Sequence, residues 1–289
     1  MTAGRWRALG RELRTPIAFL DALGRRFSWH HMPSLAAGLA FYFLLAFFPF
    51  LLFLVAVVTL VPGVEGLMDW LFQTAAQFVP PEAWGLVEGI VRGVLGQPRG
   101  GLVSLGVVLA LWSASAGFTS LMDCLNVAFG VTERRAWWKT RLEALGLTIA
   151  LSFFVVVAFV LTLFAGPLAA LVASYLGPAG GVATIVLNWS LSLTLMTLVT
   201  ATIYYVCPDV DDQAWQWLSP GTVLFVSGFG VASLGFSMWV ARFASYDKTY
   251  GSLGAPIILM FWLYLLATFL LLGGELNALL DERRARPPA

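Results

Sequence analysis

The amino-acid sequence predicts an all-α fold: a polytopic integral membrane protein with six transmembrane helices plus amphipathic interfacial helices. Hydrophobic residues make up 59% of the chain and charged residues 11%, against about 25% charged residues in a typical soluble domain. The stretch from Ala144 to Pro208 contains no Lys, Arg, Asp or Glu. It is about three times as long as the ~20 residues that one helix needs to cross the ~30 Å hydrocarbon core. Together these observations exclude most soluble folds.

The remaining charged residues divide the chain into neutral blocks, each of which supplies one span, whereas the block from Ala144 to Pro208 supplies two. All are predicted as helices, because lipid offers no hydrogen-bond partner to an exposed backbone. The Gly and Pro residues between Gly166 and Gly181 are typical of a turn between the third and fourth spans. We predict a single membrane domain over 1–289 with spans at 36–60, 102–124, 144–165, 183–206, 218–241 and 254–276.

The segment 1–34, ahead of the first span, is predicted as cytoplasmic and interfacial. Thr15-Pro16 resembles an N-cap followed by proline at the first helical position. Apolar residues recur at helical spacing from Ile17 to Phe27, beside Arg25 and Arg26. Two interpretations stay open: an amphipathic helix on an anionic leaflet, or a cytoplasmic helix packed on the ends of the spans. The polar residues at its start are not typical of a signal peptide.

The segment 64–97 predicts an external amphipathic helical hairpin. Apolar residues follow i, i+3, i+4, i+7 spacing from Val64 to Val79, the spacing of one helical face. Pro80-Pro81 ends this helix, and a second apolar face runs from Val87 to Leu95. The hairpin could cap a cavity between the spans or shield the ends of the spans.

The orientation follows from the basic residues of the loops, which are enriched on the cytoplasmic side. The acidic loop Asp209–Asp212 falls on the same side as the basic residues, but acidic residues weigh little in this rule. We therefore predict that both termini are cytoplasmic and that 277–289 is a cytoplasmic tail. The predicted cytoplasmic side has Arg5, Arg7, Arg11, Arg14, Arg25, Arg26, Arg134, Arg135, Lys139, Arg141, Arg283, Arg284 and Arg286, and the external side has Arg92, Arg99, Arg242 and Lys248.

Polar side chains in or beside the spans are the candidates for a substrate or ion pathway. An ionisable group within a span is a functional hypothesis by default; the alternative is that residues at span ends are simply solvated. Small residues at the end of span two are also explained by close helix packing. The candidates are Asp123, Ser115, Asn126, Asn188, Arg242, Asp247, Lys248, Tyr250, Glu275 and Asn277.

The sequence predicts no catalytic residue, no metal site and no cofactor. It has no HExxH, paired CxxC, GxSxG or P-loop motif. His30 and His31 are adjacent, and neighbouring helical residues point about 100° apart, which does not make a chelating pair. Cys124 and Cys207 are expected to be reduced thiols at cytoplasmic span ends. No nucleic-acid partner is expected, because the loop after span two has too few basic residues for a convincing patch.

A set of motifs in a fixed order resembles the YihY/virulence factor BrkB family of bacterial inner-membrane proteins, which formerly had the label ribonuclease BN. The resemblance extends from about residue 30 to 280. It implies six spans, location in the bacterial cytoplasmic (inner) membrane and a link to the cell envelope. The motifs are Ala40-Phe41-Tyr42 to Phe48-Pro49, Trp112-Ser113-Ala114-Ser115, Asn126, Arg134-Arg135, Tyr205, Pro208, Pro220-Gly221, Tyr246 to Gly254, and Gly274-Glu275-Leu276-Asn277.

These features favour a transporter-like protein that moves a lipid or envelope component. Pro49 in span one predicts a kink, which either serves packing or opens a cavity. A non-transporting membrane scaffold for envelope integrity is the alternative, and a ribonuclease is a third reading that no residue pattern supports. Membrane lipids and a lipid or amphipathic substrate are the expected partners. The sequence leaves open the substrate, its direction, a coupling ion and the oligomeric state.

Overall fold

The computed structural model describes residues 16–58, 101–176, 178–211, 214–242 and 254–284. Within these ranges the regular elements are α-helices and no strand occurs, which confirms the all-α prediction. In chain order the helices are α1 (Pro16–Trp29), α2 (Met32–Val58), α3 (Gly101–Ala114), α4 (Ala116–Phe129), α5 (Trp137–Leu176), α6 (Pro178–Val206), α7 (Pro220–Arg242) and α8 (Gly254–Arg284).

Several of these helices can cross a membrane. A sixth span is formed if α1 and α2, which bend by 60° at their junction, are counted as one broken span. The bend lies at His30 and His31, where His31 has a positive φ of 53°. That left-handed conformation is uncommon for a residue other than glycine. The five other stretches that are long and apolar enough, among the described residues, are Val108–Phe129, Trp137–Ala158, Trp189–Val206, Pro220–Val240 and Pro256–Arg283.

Span two, predicted as one helix over 102–124, has a single irregular residue at Ser115, although backbone hydrogen bonds join Ser115 to Leu111 and to Thr119. The Ser115 hydroxyl donates a 2.7 Å hydrogen bond to the Trp112 carbonyl oxygen, and such side-chain bonds compete with the helical backbone. The helix resumes at Ala116 and continues to Phe129. Gly130 ends it in the left-handed region, at φ 66°, a conformation that glycine adopts without steric cost.

The boundary between the third and fourth spans falls inside the predicted range Gly166–Gly181, but the helix of the third span is longer than the predicted span 144–165. Helix α5 continues through Gly166-Pro167 to Leu176 and has 40 residues, which corresponds to about 60 Å at 1.5 Å per residue. Proline is tolerated inside a membrane helix because neighbouring groups can satisfy the freed backbone carbonyl. The next helix begins at Pro178, in the first turn, where the missing N–H has no cost.

Two predicted features lie outside the described residues: the external hairpin at 64–97 and the polar turn from Tyr246 to Gly254. Pro49 lies within α2 and does not end it. Helix α8 continues past the predicted span end, to Arg284, so the first residues of the predicted tail are helical.

Helix α4 lies at the centre of the packing. Its Leu121, Met122 and Leu125 are almost completely buried, because α4 packs against α2, α5 and α8. Leu39 of α2 and Leu271 of α8 complete this apolar cluster. The short α4, rather than a long span, therefore organises the core.

Helices α7 and α8 are in backbone contact at two glycines. A Cβ atom added to Gly221 would overlap the carbonyl oxygen of Gly273, and one added to Gly273 would overlap the Gly221 carbonyl oxygen and the Tyr204 hydroxyl. Tyr204 of α6 donates a 2.7 Å hydrogen bond to the Leu270 carbonyl oxygen. Small residues permit such close approach between membrane helices, so α6, α7 and α8 are joined at this level.

Loops that are distant in sequence meet at one end of the bundle, which we call the α1 end. It comprises α1, the loops 130–136 and 207–211, and the last turns of α8. Arg26 of α1 reaches the Ala128 carbonyl oxygen at 2.8 Å, and Arg135 reaches the Cys207 carbonyl oxygen at 2.8 Å. The sequence prediction assigns all these segments to the cytoplasmic side, and that orientation stays a prediction.

Away from the α1 end the helices expose apolar side chains. Val186 and Trp189 of α6 are 58% and 65% exposed, and Val231 and Leu234 of α7 are 71% and 64% exposed. In a bilayer such apolar faces contact lipid tails or another apolar molecule. The bundle is thus densely packed at the α1 end and open to apolar contact along the first half of α6 and the second half of α7.

Candidate functional site

A buried ion pair joins the first and last described helices. Arg26 of α1 places its Nε 2.6 Å from Oε2 of Glu275 on α8, and the two side chains are 6% and 0% exposed. The Arg26 Nη2 also donates to the Ala128 carbonyl oxygen at the end of α4. Burial of two charges costs several kcal/mol per ion unless further hydrogen bonds satisfy them. The guanidinium meets this condition because it has partners on α4 and α8.

Two further ionisable groups complete this cluster, which we call the Glu275 cluster: Arg26, His30, Glu275 and Glu282. His30 Nδ1 lies 2.5 Å from the second carboxylate oxygen of Glu275, and Glu282 accepts from Arg26 Nη1 at 2.6 Å. An ionised carboxylate can only accept hydrogen bonds, so His30 Nδ1 donates to it. The cluster thus sets one arginine and one histidine against two carboxylates, one fully buried and one, Glu282, 46% exposed.

A second polar network ties the two loops of the α1 end together. Asn126 donates to Glu133 at 2.8 Å and accepts from the Asp209 backbone N–H at 2.8 Å. Arg135 donates to Glu133 at 2.8 Å and to Glu143 at 2.5 Å. The hydrogen bonds from Arg135 lower the pKa of Glu133 to about 2, and the Glu133 carboxylate raises the pKa of Arg135 in return. Glu133 and Arg135 are therefore charged at neutral pH, and their hydrogen bonds hold the loops in place.

A third network fixes the contact between α7 and α8. The side-chain oxygen of Asn277 accepts from the Gly221 backbone N–H at 2.8 Å, and its amide nitrogen donates to the Ser219 hydroxyl at 2.9 Å. Ser219 also accepts from the Thr222 backbone N–H at 3.1 Å, the bond of a helix N-cap. Asn277 therefore supports the start of α7. A cavity of about 20 Å³ adjoins it, roughly the space of one water molecule.

The structure separates the sequence-predicted site residues into different environments. Glu275, Asn277, Asn126 and Ser115 are buried and hydrogen-bonded as described, whereas Asp123 is exposed on α4 and is not part of the Glu275 cluster. Asn188 lies in α6 and Arg242 ends α7, but their side chains fall outside the described part of the structure. The predictions on Asp247, Lys248 and Tyr250 also lie outside the described residues.

Sequence reasoning missed the partners of Glu275. The sequence marks Arg26 only as a basic residue of the N-terminal segment and His30 only as half of an unsuitable chelating pair. The single available signal was the position of Arg26 beside Leu23 on the apolar side of α1, where both residues are buried. The described residues contain no group of three or more His, Cys, Asp or Glu side chains that could hold a metal ion.

The comparison with known families decides the identity. The family model described as virulence factor BrkB matches residues 23–289. The chain belongs to the BrkB family. The match includes every residue of the Glu275 cluster and confirms the family resemblance of the sequence motifs.

Relatives within the BrkB family are mostly described as membrane proteins. The chain is 35% identical to the ribonuclease-like protein YfkH of Bacillus subtilis over 94% of this chain and 98% of that protein. It is 25% identical to a UPF0761 membrane protein of Photobacterium profundum, over 94% of this chain and 83% of that protein. With a UPF0761 membrane protein of Rhodospirillum centenum the identity is 27%, over 99% of this chain and 63% of that protein.

No solved structure matches the chain. The family match and the apolar helices together make this BrkB-family chain a multi-helical membrane protein. Its site is therefore interpreted from its own geometry.

Proposed function

We propose that the protein is an inner-membrane, transporter-like protein that moves a lipid or other envelope component across or within the membrane, with both termini in the cytoplasm. The proposal assigns it no enzymatic activity and no nucleic-acid partner. The observation that supports it best is the Glu275 cluster, in which the fully buried Glu275 of a membrane helix is neutralised by α1.

The energetics of the cluster favour a switching role over a purely stabilising one. A well-packed apolar pair of similar volume is often as stable as a buried ion pair, or more stable. Ionisable groups inside membrane proteins commonly belong to substrate or ion pathways. The ion pair between α1 and α8 can be either formed or separated. Because Arg26 belongs to α1, a change between these two states would change the position of α1.

The position of α1 suits the control of a lipid path. Ile17 and Leu20 on its outer face are 80% and 64% exposed, while Arg26 on its inner face is buried. A helix with one apolar exposed face lies in the membrane interface. Separation of Arg26 from Glu275 would let α1 turn about the bend at His30 and open the densely packed end. The exposed apolar faces of α6 and α7 offer contact to an acyl chain.

A non-transporting scaffold for envelope integrity is the second candidate. The specific observation in its favour is the density of the α1 end, where the cavity beside Asn277 is only about 20 Å³. In that case the Glu275 cluster would simply fasten α1. The name of the relative YfkH suggests ribonuclease activity as a third possibility, which RNA incubation with purified protein would test directly.

Lipid movement in proteoliposomes tests the proposal. Purified protein is reconstituted with a fluorescently labelled phospholipid in both leaflets, and dithionite is added to bleach the outer leaflet. Protein-free vesicles keep their inner label, whereas an active protein exposes it over time. Glu275→Gln removes the charge of the buried carboxylate and should change the rate at least several-fold. Arg25→Gln is the matched control, because Arg25 pairs with Asp21 on the exposed side of α1.

Two results would count against transport. One is retention of the inner label in wild-type vesicles for every envelope lipid tested, with and without ion gradients. The other is that Glu275→Gln and Asp123→Asn are both silent in cells that need the wild-type protein. Loss of envelope integrity in Glu275→Gln cells without any lipid movement in vesicles would favour the scaffold.

A further inference from the structure

Arg141 bridges three helices near the start of α5. Its Nη2 donates to the Trp112 carbonyl oxygen on α3 at 2.5 Å, and its Nη1 donates to the Thr119 hydroxyl on α4 at 3.3 Å. The guanidinium carbon lies 4.1 Å from the centroid of the Trp112 ring, within the range of a cation–π contact. The side chain is thus held in one position, in the crevice that α5 makes with α3 and α4.

The charge of Arg141 has no counter-ion among the residues that the structure describes. Arg26, Arg134 and Arg135 each have a carboxylate within 4.0 Å, but no carboxylate of the described residues lies within that distance of Arg141. Its Nε is shielded from solvent and has no acceptor among those residues. An arginine stays charged at every accessible pH, and a partly desolvated cation without an anion is unfavourable. The described residues around Arg141 therefore supply no negative group.

The surroundings of Arg141 indicate where such a group comes from. Trp137 and Trp112 are 73% and 43% exposed, and their rings lie 6.2 Å apart. Trp138 is also 61% exposed, and Lys139 is exposed beside it. Tryptophans in this exposed state are enriched at the headgroup level of a bilayer. Arg141 lies near the beginning of the candidate span Trp137–Ala158, which is where lipid phosphates are found.

We propose that Arg141, together with the rings of Trp112 and Trp137, binds the phosphate of an anionic phospholipid. Nη1 and Nη2 each donate one hydrogen bond within the protein, and the second N–H of each is left to donate to phosphate oxygens. The exposed Leu142, on the same turn of α5, supplies an apolar surface for the acyl chains. A lipid retained here differs from a transported one, so this site is independent of the proposed transport.

Lipid retention by the purified protein tests the site. Wild-type protein in detergent is mixed with phosphatidylglycerol, with phosphatidylcholine or with sodium phosphate, and bound lipid is measured by native mass spectrometry together with thermal stability. We expect phosphatidylglycerol to be retained about fivefold better than phosphatidylcholine. This ratio corresponds to about 1 kcal/mol, the contribution of one basic residue near a membrane surface. Arg141→Gln should abolish the preference, and Arg141→Lys, which keeps the charge without the fork, should reduce it.

Arg134→Gln is the matched control, since Arg134 is an exposed arginine already paired with Asp211; it should keep the full preference. Equal retention of phosphatidylglycerol and phosphatidylcholine by the wild type would overturn the proposal even if Arg141→Gln does not fold. An unchanged preference in a folded Arg141→Gln would overturn it as well. Sodium phosphate that stabilises the protein as much as phosphatidylglycerol would reassign the site to a soluble anion. None of these results depends on lipid transport.

Discussion

Substitution of Arg26 by methionine tests the Glu275 cluster, because Glu275 then keeps its charge without its main partner. The two side chains are 6% and 0% exposed and 2.6 Å apart, so water cannot replace the guanidinium. Removing one partner of such a pair costs about 3–5 kcal/mol. His30 still donates to the second carboxylate oxygen, which places the expected loss of unfolding free energy near the lower limit, about 3 kcal/mol.

The measurement is unfolding of the purified protein in mixed micelles, followed by tryptophan fluorescence. The double variant Arg26→Met with Glu275→Leu removes both charges, and we expect it to regain most of the loss, since apolar replacement of a buried pair is often neutral or stabilising. Arg25→Met is the control. Its pair with Asp21 is 2.8 Å long but more than half exposed on both sides, and exposed pairs contribute about 0–1 kcal/mol. Equal losses for Arg25→Met and Arg26→Met would refute the reasoning.

Three other predictions concern packing, pH and thiol chemistry. Gly221→Ala should lower the free energy of unfolding by about 1–3 kcal/mol or more through overpacking. Gly230→Ala, whose added Cβ meets no atom within 4 Å, should raise the free energy of unfolding by about 0.5–1 kcal/mol. Similar effects of the two substitutions would show that α7 and α8 are not in contact at Gly221. Since its pKa is lowered to about 2, Glu133 stabilises the fold above its unfolded pKa of about 4.3; this contribution should disappear as the pH falls towards 2. Glu133→Gln should therefore show a flatter thermal stability profile over that range, and a slope equal to that of the wild type would contradict the pairing with Arg135. Burial raises the pKa of Cys207. In a variant with no other cysteine, this thiol should therefore react with maleimide only after unfolding. Rapid labelling of the native protein would show that the loop 207–211 opens.

The membrane helices could be predicted because their signal is local. The composition of a run such as Ala144 to Pro208 determines its free energy of transfer from water into the membrane. No distant residue is therefore needed to predict that it spans the membrane. The ends of helices were less predictable. The Gly166-Pro167 pair would terminate a helix in water, but in the bilayer the backbone must stay hydrogen-bonded, and α5 continues to Leu176.

The candidate site was predicted in part. Glu275 could be identified because an ionisable residue within a predicted span is a functional hypothesis by default. Its partner Arg26 is 249 positions away, and no periodicity connects the two residues. Asp123 is instead exposed on α4, because Leu121 and Leu125 face the core and residues two positions away from them point to the other side of the helix. Pairing across the bundle is a property of tertiary structure, which one sequence does not report.

The distance between Arg26 and Glu275 in the sequence has a consequence for biosynthesis. Arg26 is translated and reaches the membrane surface long before Glu275 leaves the ribosome, because domains are made from the N-terminus at about 5–20 residues per second. During that interval α1 can contact α2 and the Ala128 carbonyl oxygen, but Arg26 has no carboxylate from α8 to bind. The Glu275 cluster therefore forms late in assembly, and a chain truncated before α8 would lack it. A contact of the first described helix thus depends on the last described one.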